Sequence, residues 1–454
     1  MAAIGTQYRP DPEARYHGVE FHAYCAKTIP LALDWTIPLM QAILITEIFT
    51  LFRGKRATVR LSLQFEELYS RLLNPTSETN TIPTNTSTCA GLTGHFNTRT
   101  RSKDIQSNWL LWVDTESRQR ILCLCFIFDI HQAMYHQQKR AKSYVDPIVL
   151  YTPCSEVLWE STNAADWATN ETGDNAGQPL HLLQHQFTKE HHFELSHFAR
   201  SLLICSLTSQ ISSRVGSDYH YPSDFEIHNT NPTILELVTL SPASSMVHTY
   251  VALYHTPLRD LLAVSGDTWV FTQKITHPNH FREAQSRLKI WSSSPAAATA
   301  AHYACRVLLS EFSAPCYPSS DSNTMQHSLD LSHYWSLNVA ALICWAFGHR
   351  VSGTRGPSFR NVTDPYAALD SNTSPEAAWE NVRLKALTYL NSMLELDIKD
   401  LLTSKSIMRA ETSFIIDAVR TRLEVDSVGG QCMTLVDSIC VLKRLRESGS
   451  GKWF

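Results

Sequence analysis

Three observations predict an all-α fold, a large assembly of helices with long polar loop insertions. Apolar residues recur at helical spacing along most of the 454 residues, no useful stretch alternates with strand period, and Gly is scarce at 16. That Gly usage is about half of the ordinary share. Neither GxGxxG nor GxxxxGK[ST] occurs, which weighs against nucleotide-binding α/β folds. The hydrophobic share is 43%, and 11 Trp enlarge the area available for a core.

The helices follow in order. Pro38, Leu39, Ile43, Leu44, Ile48 and Leu51 carry the first strong pattern, with Pro38 in a first turn. Phe65, Leu68, Tyr69 and Leu72 carry the second, and the short link Arg53–Arg56 suits an antiparallel pair. Residues 74–107 are rich in Thr, Asn and Ser and predict a flexible inserted loop. Residues 109–138 form the strongest segment, amphipathic at first and then apolar all round through Ile121–Asp129, which predicts a central helix. A short helix is expected within 158–167, another helical segment over 181–210, and a loop over 215–232. Further helices are predicted at 234–239, 244–262, 281–292, 296–312, 329–348, 375–396, 409–423 and 433–446. We divide the chain into an N-terminal half, 1–215, and a C-terminal helical half of the same region, 233–454.

Net charge is −4 and only 18% of residues are charged, so a phosphate-gripping basic surface is not expected. The basic runs Arg53/Lys55/Arg56/Arg60, Lys139/Arg140/Lys142 and Lys443/Arg444/Arg446 are short and read as solvated helix ends. The longest apolar stretch, 31–52, is interrupted by Asp34, Gln41 and Glu47 and reads as a buried helix rather than a membrane span. Residues 1–12 are polar, without the apolar centre of a secretory leader. The 11 scattered Cys are therefore expected as buried free thiols.

Zinc chemistry needs closely paired ligands, and no Cys-x-x-Cys occurs. Cys123 and Cys125 lie within the apolar helix. His181 and His185 could share a helix face beside His191, His192 and His197, but HExxH is missing, and a solvated face is the expectation. Asp114 and Glu116, two apart, point to different sides of a helix. There is no GxSxG elbow, so no catalytic, metal or cofactor residue is assigned.

The segment WLLWVDTESRQRILCLCFIFD resembles the signature of the fungal-specific transcription factor domain through Trp109, Trp112, Glu116, Arg118, Arg120 and Asp129. Gln119 stands where many members carry another Arg. Downstream, Pro153, Cys154, Glu156, Trp159 and Trp167 resemble the element that follows in the branch bearing two-Cys two-His fingers. These residues read as architecture: the tryptophans supply apolar faces, and Glu116 offers an ion pair with Arg118 or Arg120. The resemblance implies a nuclear regulator of transcription and not an enzyme. It also implies protein partners from the transcription machinery or a related factor, homo- or heterodimers, and zinc held only by fingers that this sequence lacks. The alternative is a finger-less interaction protein that modulates other factors without touching DNA.

Overall fold

The computed structural model describes residues 1–6, 12–32, 34–53, 61–74, 102–137, 139–141, 150–171, 177–189, 195–211, 232–266, 269–270, 273–274, 277–313, 332–348, 375–403, 412–425 and 433–447. Within them the chain is all-α, as the sequence predicts. The N-terminal half holds α1 (Ala2–Gly5), α2 (Pro12–Thr28), α3 (Ile37–Ile48), α4 (Leu63–Leu73), α5 (Ser102–Tyr135), α6 (Glu156–Trp159), α7 (Ala164–Asn170), α8 (Leu180–Lys189) and α9 (His197–Ser209). The C-terminal half holds α10 (Pro232–Leu240), α11 (Ser245–Tyr254), α12 (Leu258–Val264), α13 (Pro278–Trp291), α14 (Pro295–Phe312), α15 (His333–Gly348), α16 (Pro375–Glu395), α17 (Ile398–Thr403), α18 (Thr412–Val425) and α19 (Met433–Glu447). A two-residue antiparallel ladder, β1 (Trp269–Val270) with β2 (Gln273–Lys274), joins α12 to α13. No described helix is long and apolar enough to cross a membrane.

Local chemistry sets most boundaries. Thr36, Ser62, Ser155, Asn163, Ser196, Ser244 and Ser294 each accept a backbone N–H from the first turn of the helix they precede. Pro at the first positions of α13 and α14 adds pre-set backbone angles. Four expectations need correction. The central helix starts at Ser102, so the inserted loop ends earlier than residue 107. The single helix expected over 158–167 is two, because Asn163 caps a fresh start. The segment 181–210 is also two, α8 and α9, with Ser196 as the second cap. The segment 244–262 breaks at Pro257, which has no N–H to continue the ladder. The helices α1, α2 and α17 are not among those that apolar spacing placed.

The packing order follows burial. In α15 every residue from Tyr334 to Phe347 is buried, as expected for a helix apolar on all sides. It packs against α14 and α18, while α14 also meets α11 and α16. On the other side α5 meets α3, α4, α9 and α11. One continuous core runs from Met40 to Leu445 and spans both halves. Polar contacts cross between them. The Trp335 indole donates to the Tyr135 carbonyl at 3.3 Å, the Tyr135 hydroxyl meets Ser336 Oγ at 3.2 Å, and the Tyr250 hydroxyl bonds His131 Nδ1. Just past α5, Gln137 has φ +49°, a conformation uncommon outside Gly, and its amide is anchored to the Thr256 carbonyl at 3.0 Å.

The described cysteines are free thiols. Cys123, Cys125, Cys154, Cys205, Cys305 and Cys344 are buried, Cys25 is half-buried and Cys440, on the outer side of α19, is exposed. Cys89, Cys316 and Cys432 lie outside the described residues. Two basic runs are not merely solvated: Arg140 pairs with buried Asp129, and Lys443 and Arg446 tie α19 to Glu424 and Asp417 of α18.

A buried knot joins α14, α15 and α18. Glu311 sits 2.6 Å from Arg422 Nε and 3.3 Å from His333 Nε2. Burial alone would raise its carboxyl, but the His333 hydrogen bond and charge and the Arg422 guanidinium outweigh it and hold the group down at about 2. A depressed folded-state pKa gives stability that is complete above the unfolded value of 4.5 and lost as pH falls toward 2. We expect acid titration between pH 4.5 and 2 to remove on the order of 3 kcal/mol through this residue. Glu311→Gln should flatten that part of the pH–stability curve; a curve of unchanged slope would refute the assignment.

Candidate functional site

The motif residues meet where the first half of α5 faces the segment 150–171. Glu116 and Arg120 lie one turn apart on α5, and Arg120 Nε donates to Glu116 Oε1 at 3.0 Å with both side chains largely buried. The same carboxylate oxygen accepts the backbone N–H of Cys154 at 2.9 Å. Arg120 reaches further, donating to the Cys154 carbonyl at 3.2 Å and standing 3.8 Å from Glu156. Its guanidinium lies over the Trp159 ring, 4.2 Å from the centroid, a contact worth about 1 kcal/mol or more at a partly buried position. One ion pair therefore holds both backbone groups of Cys154 and fixes how the 150s segment docks on α5.

The tryptophans close the same clasp. Trp112 packs at 6.2 Å from Trp159 and 5.7 Å from Trp167, ring centroid to centroid. Together with Trp109 they surround Cys154 and Leu158 in a small apolar cluster separate from the main core. Burial raises the Cys154 thiol to about 12, with nearby Glu116 adding to it, so it remains a protonated packing group. Pro153, half-buried, leads into this turn.

Of the two partners that the sequence leaves open for Glu116, the structure takes Arg120. Arg118 instead pairs with Asp114 at 2.8 Å in a more exposed position, as the two-residue offset of Asp114 and Glu116 requires. Asp129 does not join the clasp. It lies wholly buried two turns beyond, accepts the Ala141 N–H at 2.6 Å and faces Arg140 Nε at 3.5 Å. Arg140 spans the face of Phe126, 5.5 Å away. Burial, with the Asp129 charge adding, pushes the neighbouring Tyr69 hydroxyl far up, so it stays neutral.

Several participants carry no signature of their own. Gln119 donates to the Tyr151 carbonyl at 2.7 Å, a bond to a neutral acceptor that a neutral amide serves without burying another charge. An isolated bridge pairs Tyr151 with Pro179, and Thr152 N donates to the Gln178 carbonyl at 2.8 Å. Beside it, a Cβ at Gly177 would stand 2.0 Å from the Thr152 carbonyl oxygen. That atom is backbone and cannot swing aside, so Gly177→Ala should open the bridge and cost about 1–3 kcal/mol. Thermal melts followed by tryptophan fluorescence would show it; a wild-type melt would mean that the segment has slack.

The histidine stretch brings no ligand set together. His181, His185 and His197 are exposed, and His191 and His192 lie outside the described residues. Among the described residues no group of three or more His, Cys, Asp or Glu is placed to hold a metal ion.

Comparison with known proteins agrees with the motif reading. A model of the fungal specific transcription factor domain family matches residues 1–237, just over half of the chain. The nicotinate catabolism cluster-specific transcription factor of Emericella nidulans is 24% identical over 291 residues, covering 54% of this chain and 32% of the relative. The chain thus spans about a third of the length of that curated relative. No solved structure matches. The family match contains every residue of the Glu116–Arg120 clasp and its tryptophans, and the chain belongs to the fungal specific transcription factor domain family.

Proposed function

We propose that this chain is the helical regulatory and partner-binding region of a regulator of DNA-templated transcription, acting in the nucleus and without a catalytic reaction. The observation that carries the reading is the clasp itself. Its charged and aromatic side chains face one another and the backbone of Cys154, an arrangement suited to holding a scaffold in one shape. The family match and the relative's name support the transcriptional role. In this reading DNA is read by a zinc-bearing module beyond these residues or by a partner protein, and this region holds no cofactor. The residues 1–215 and 233–454 act as two halves of one unit, which the shared core favours. The finger-less modulator remains the second reading, favoured by the net charge of −4, which suits a protein partner better than phosphate.

Fusing the chain to a heterologous DNA-binding module, upstream of a reporter, tests the proposal. Reporter output should change with the fusion and return to baseline when the clasp is broken by Glu116→Ala. Output indifferent to the fusion, together with turnover of a small-molecule substrate by the purified chain, would overturn it.

A further inference from the structure

Helix α2 turns one row of side chains to the body of the protein and another to solvent. Ala14, Gly18 and His22 form the inner row, each four residues from the next. Ala14 and Gly18 are buried. A Cβ at Gly18 would stand 2.2 Å from Thr6 Oγ1 and 3.2 Å from the Ala3 carbonyl oxygen, so the N-terminal turn lies close over this side. His22 Nε2 meets Thr50 Oγ1 at 2.9 Å, and its ring stacks on Phe49 with centroids 4.7 Å apart. The outer row is Glu13, Tyr16, Glu20, Tyr24 and Lys27. All five are exposed, Tyr16 at 66% and Tyr24 at 69%.

The outer row is complementary to its own reverse. Its members are three, four, four and three residues apart, so they share one helix face and their spacing is symmetric about Glu20. The two tyrosines lie at equal distances from that centre, and the ends carry opposite charges, Glu13 in the first turn and Lys27 in the last. A copy laid antiparallel across a two-fold axis at Glu20 sets Tyr16 against the second copy's Tyr24 and Glu13 against its Lys27, each contact occurring twice. Antiparallel alignment also brings the opposite ends of the two helix dipoles together. Tyrosine offers a large contact area with only two torsions to freeze, which suits an interface. The like-charge contact is Glu20 against its own copy on the axis, where His17 stands 3.3 Å from each carboxylate on the same helix.

We propose that the outer face of α2 is a self-complementary interface through which two copies of this chain pair as an antiparallel dimer. The inference rests on the partner-binding reading above and names a second copy as the partner; pairing itself is measured apart from transcription. The row from Glu13 to Lys27 extends about 21 Å at the helical rise. One helix face offers less than the roughly 800 Å² per partner of a standard interface, so the dimer is weak and reversible, dissociating on the order of 10–100 μM. An acid in the first turn and a base in the last also favour the dipole of an isolated helix. Exchanging the two charges separates these effects: the dipole is served worst when both are reversed, whereas the dimer regains its pairing.

Sedimentation velocity of the full chain, over a micromolar concentration series at low salt, tests this. We expect a monomer–dimer equilibrium. Glu13→Lys alone and Lys27→Glu alone should each weaken it about tenfold, because two attractive contacts become repulsive. The two changes in one chain should restore it. Glu13→Lys chains mixed with Lys27→Glu chains should pair with each other as tightly as the unaltered chain pairs with itself, and more tightly than either variant alone. Glu20→Gln should tighten the dimer several-fold by removing the repulsion on the axis. Should a charge variant lose helix by circular dichroism, Tyr16→Ser leaves every charge in place and should still weaken pairing. A monomer at every concentration, a dimer indifferent to both reversals, or a double variant weaker than the single ones would overturn the proposal. A monomer with an active reporter fusion would sink this inference and leave the regulatory reading standing; a dimer with an inert fusion would do the reverse.

Discussion

Glu116→Ala should destabilise the protein by about 3–5 kcal/mol, the range seen when one partner of a buried ion pair is removed. The size follows from what is left behind. Arg120 keeps its charge in a mostly buried place with only the more exposed Glu156, 3.8 Å away, as counter-charge, and the Cys154 N–H loses its acceptor. Glu116→Gln keeps an acceptor for Cys154 and should cost less. Arg118→Ala breaks an ion pair with both side chains more than a third exposed and should cost under about 1 kcal/mol. Chemical denaturation of the three variants ranks them. If Glu116→Ala and Arg118→Ala lost equal stability, the clasp would not be the element that docks the 150s segment on α5.

Asp129→Ala should rival that loss, at about 3–5 kcal/mol, for a related reason. Asp129 is wholly buried and serves the Ala141 N–H and Arg140 together. Its removal leaves a guanidinium over Phe126 without a counter-charge, next to a Tyr69 hydroxyl that cannot ionise to replace it. Adding Arg140→Met to Asp129→Ala should recover much of the loss, because an apolar side chain suits the space once both charges are gone. A double variant no more stable than Asp129→Ala alone would show that the Ala141 N–H, and not the charge, carries the effect.

Both sites were visible in the sequence as residue types, but their partners were not. The i,i+4 spacing of Glu116 and Arg120 follows from helix geometry alone, since residues four apart lie on one face. The same rule serves Asp114 and Arg118 equally well. What separates the two pairs is depth: one faces the 150s segment and the other a more open surface. The clustering of Trp109, Trp112, Trp159 and Trp167 joins stretches some forty to sixty residues apart, and no local period records such a meeting. Gly177 shows the same limit. Only the nearness of the Thr152 carbonyl makes a side chain intolerable there.

The sequence by itself determined the elements. Apolar spacing, Ser, Thr and Asn caps and prolines at first turns act over a few residues, and they place most helices within a turn of where they lie. The all-round apolar character of Ile121–Asp129 likewise dictated that this stretch be central. Tertiary structure alone decided which charges pair, where a loop bridges a loop, and that both halves share one core. These outcomes depend on burial and on the docking of distant helices, and desolvation turns an ordinary i,i+4 pair into a clasp.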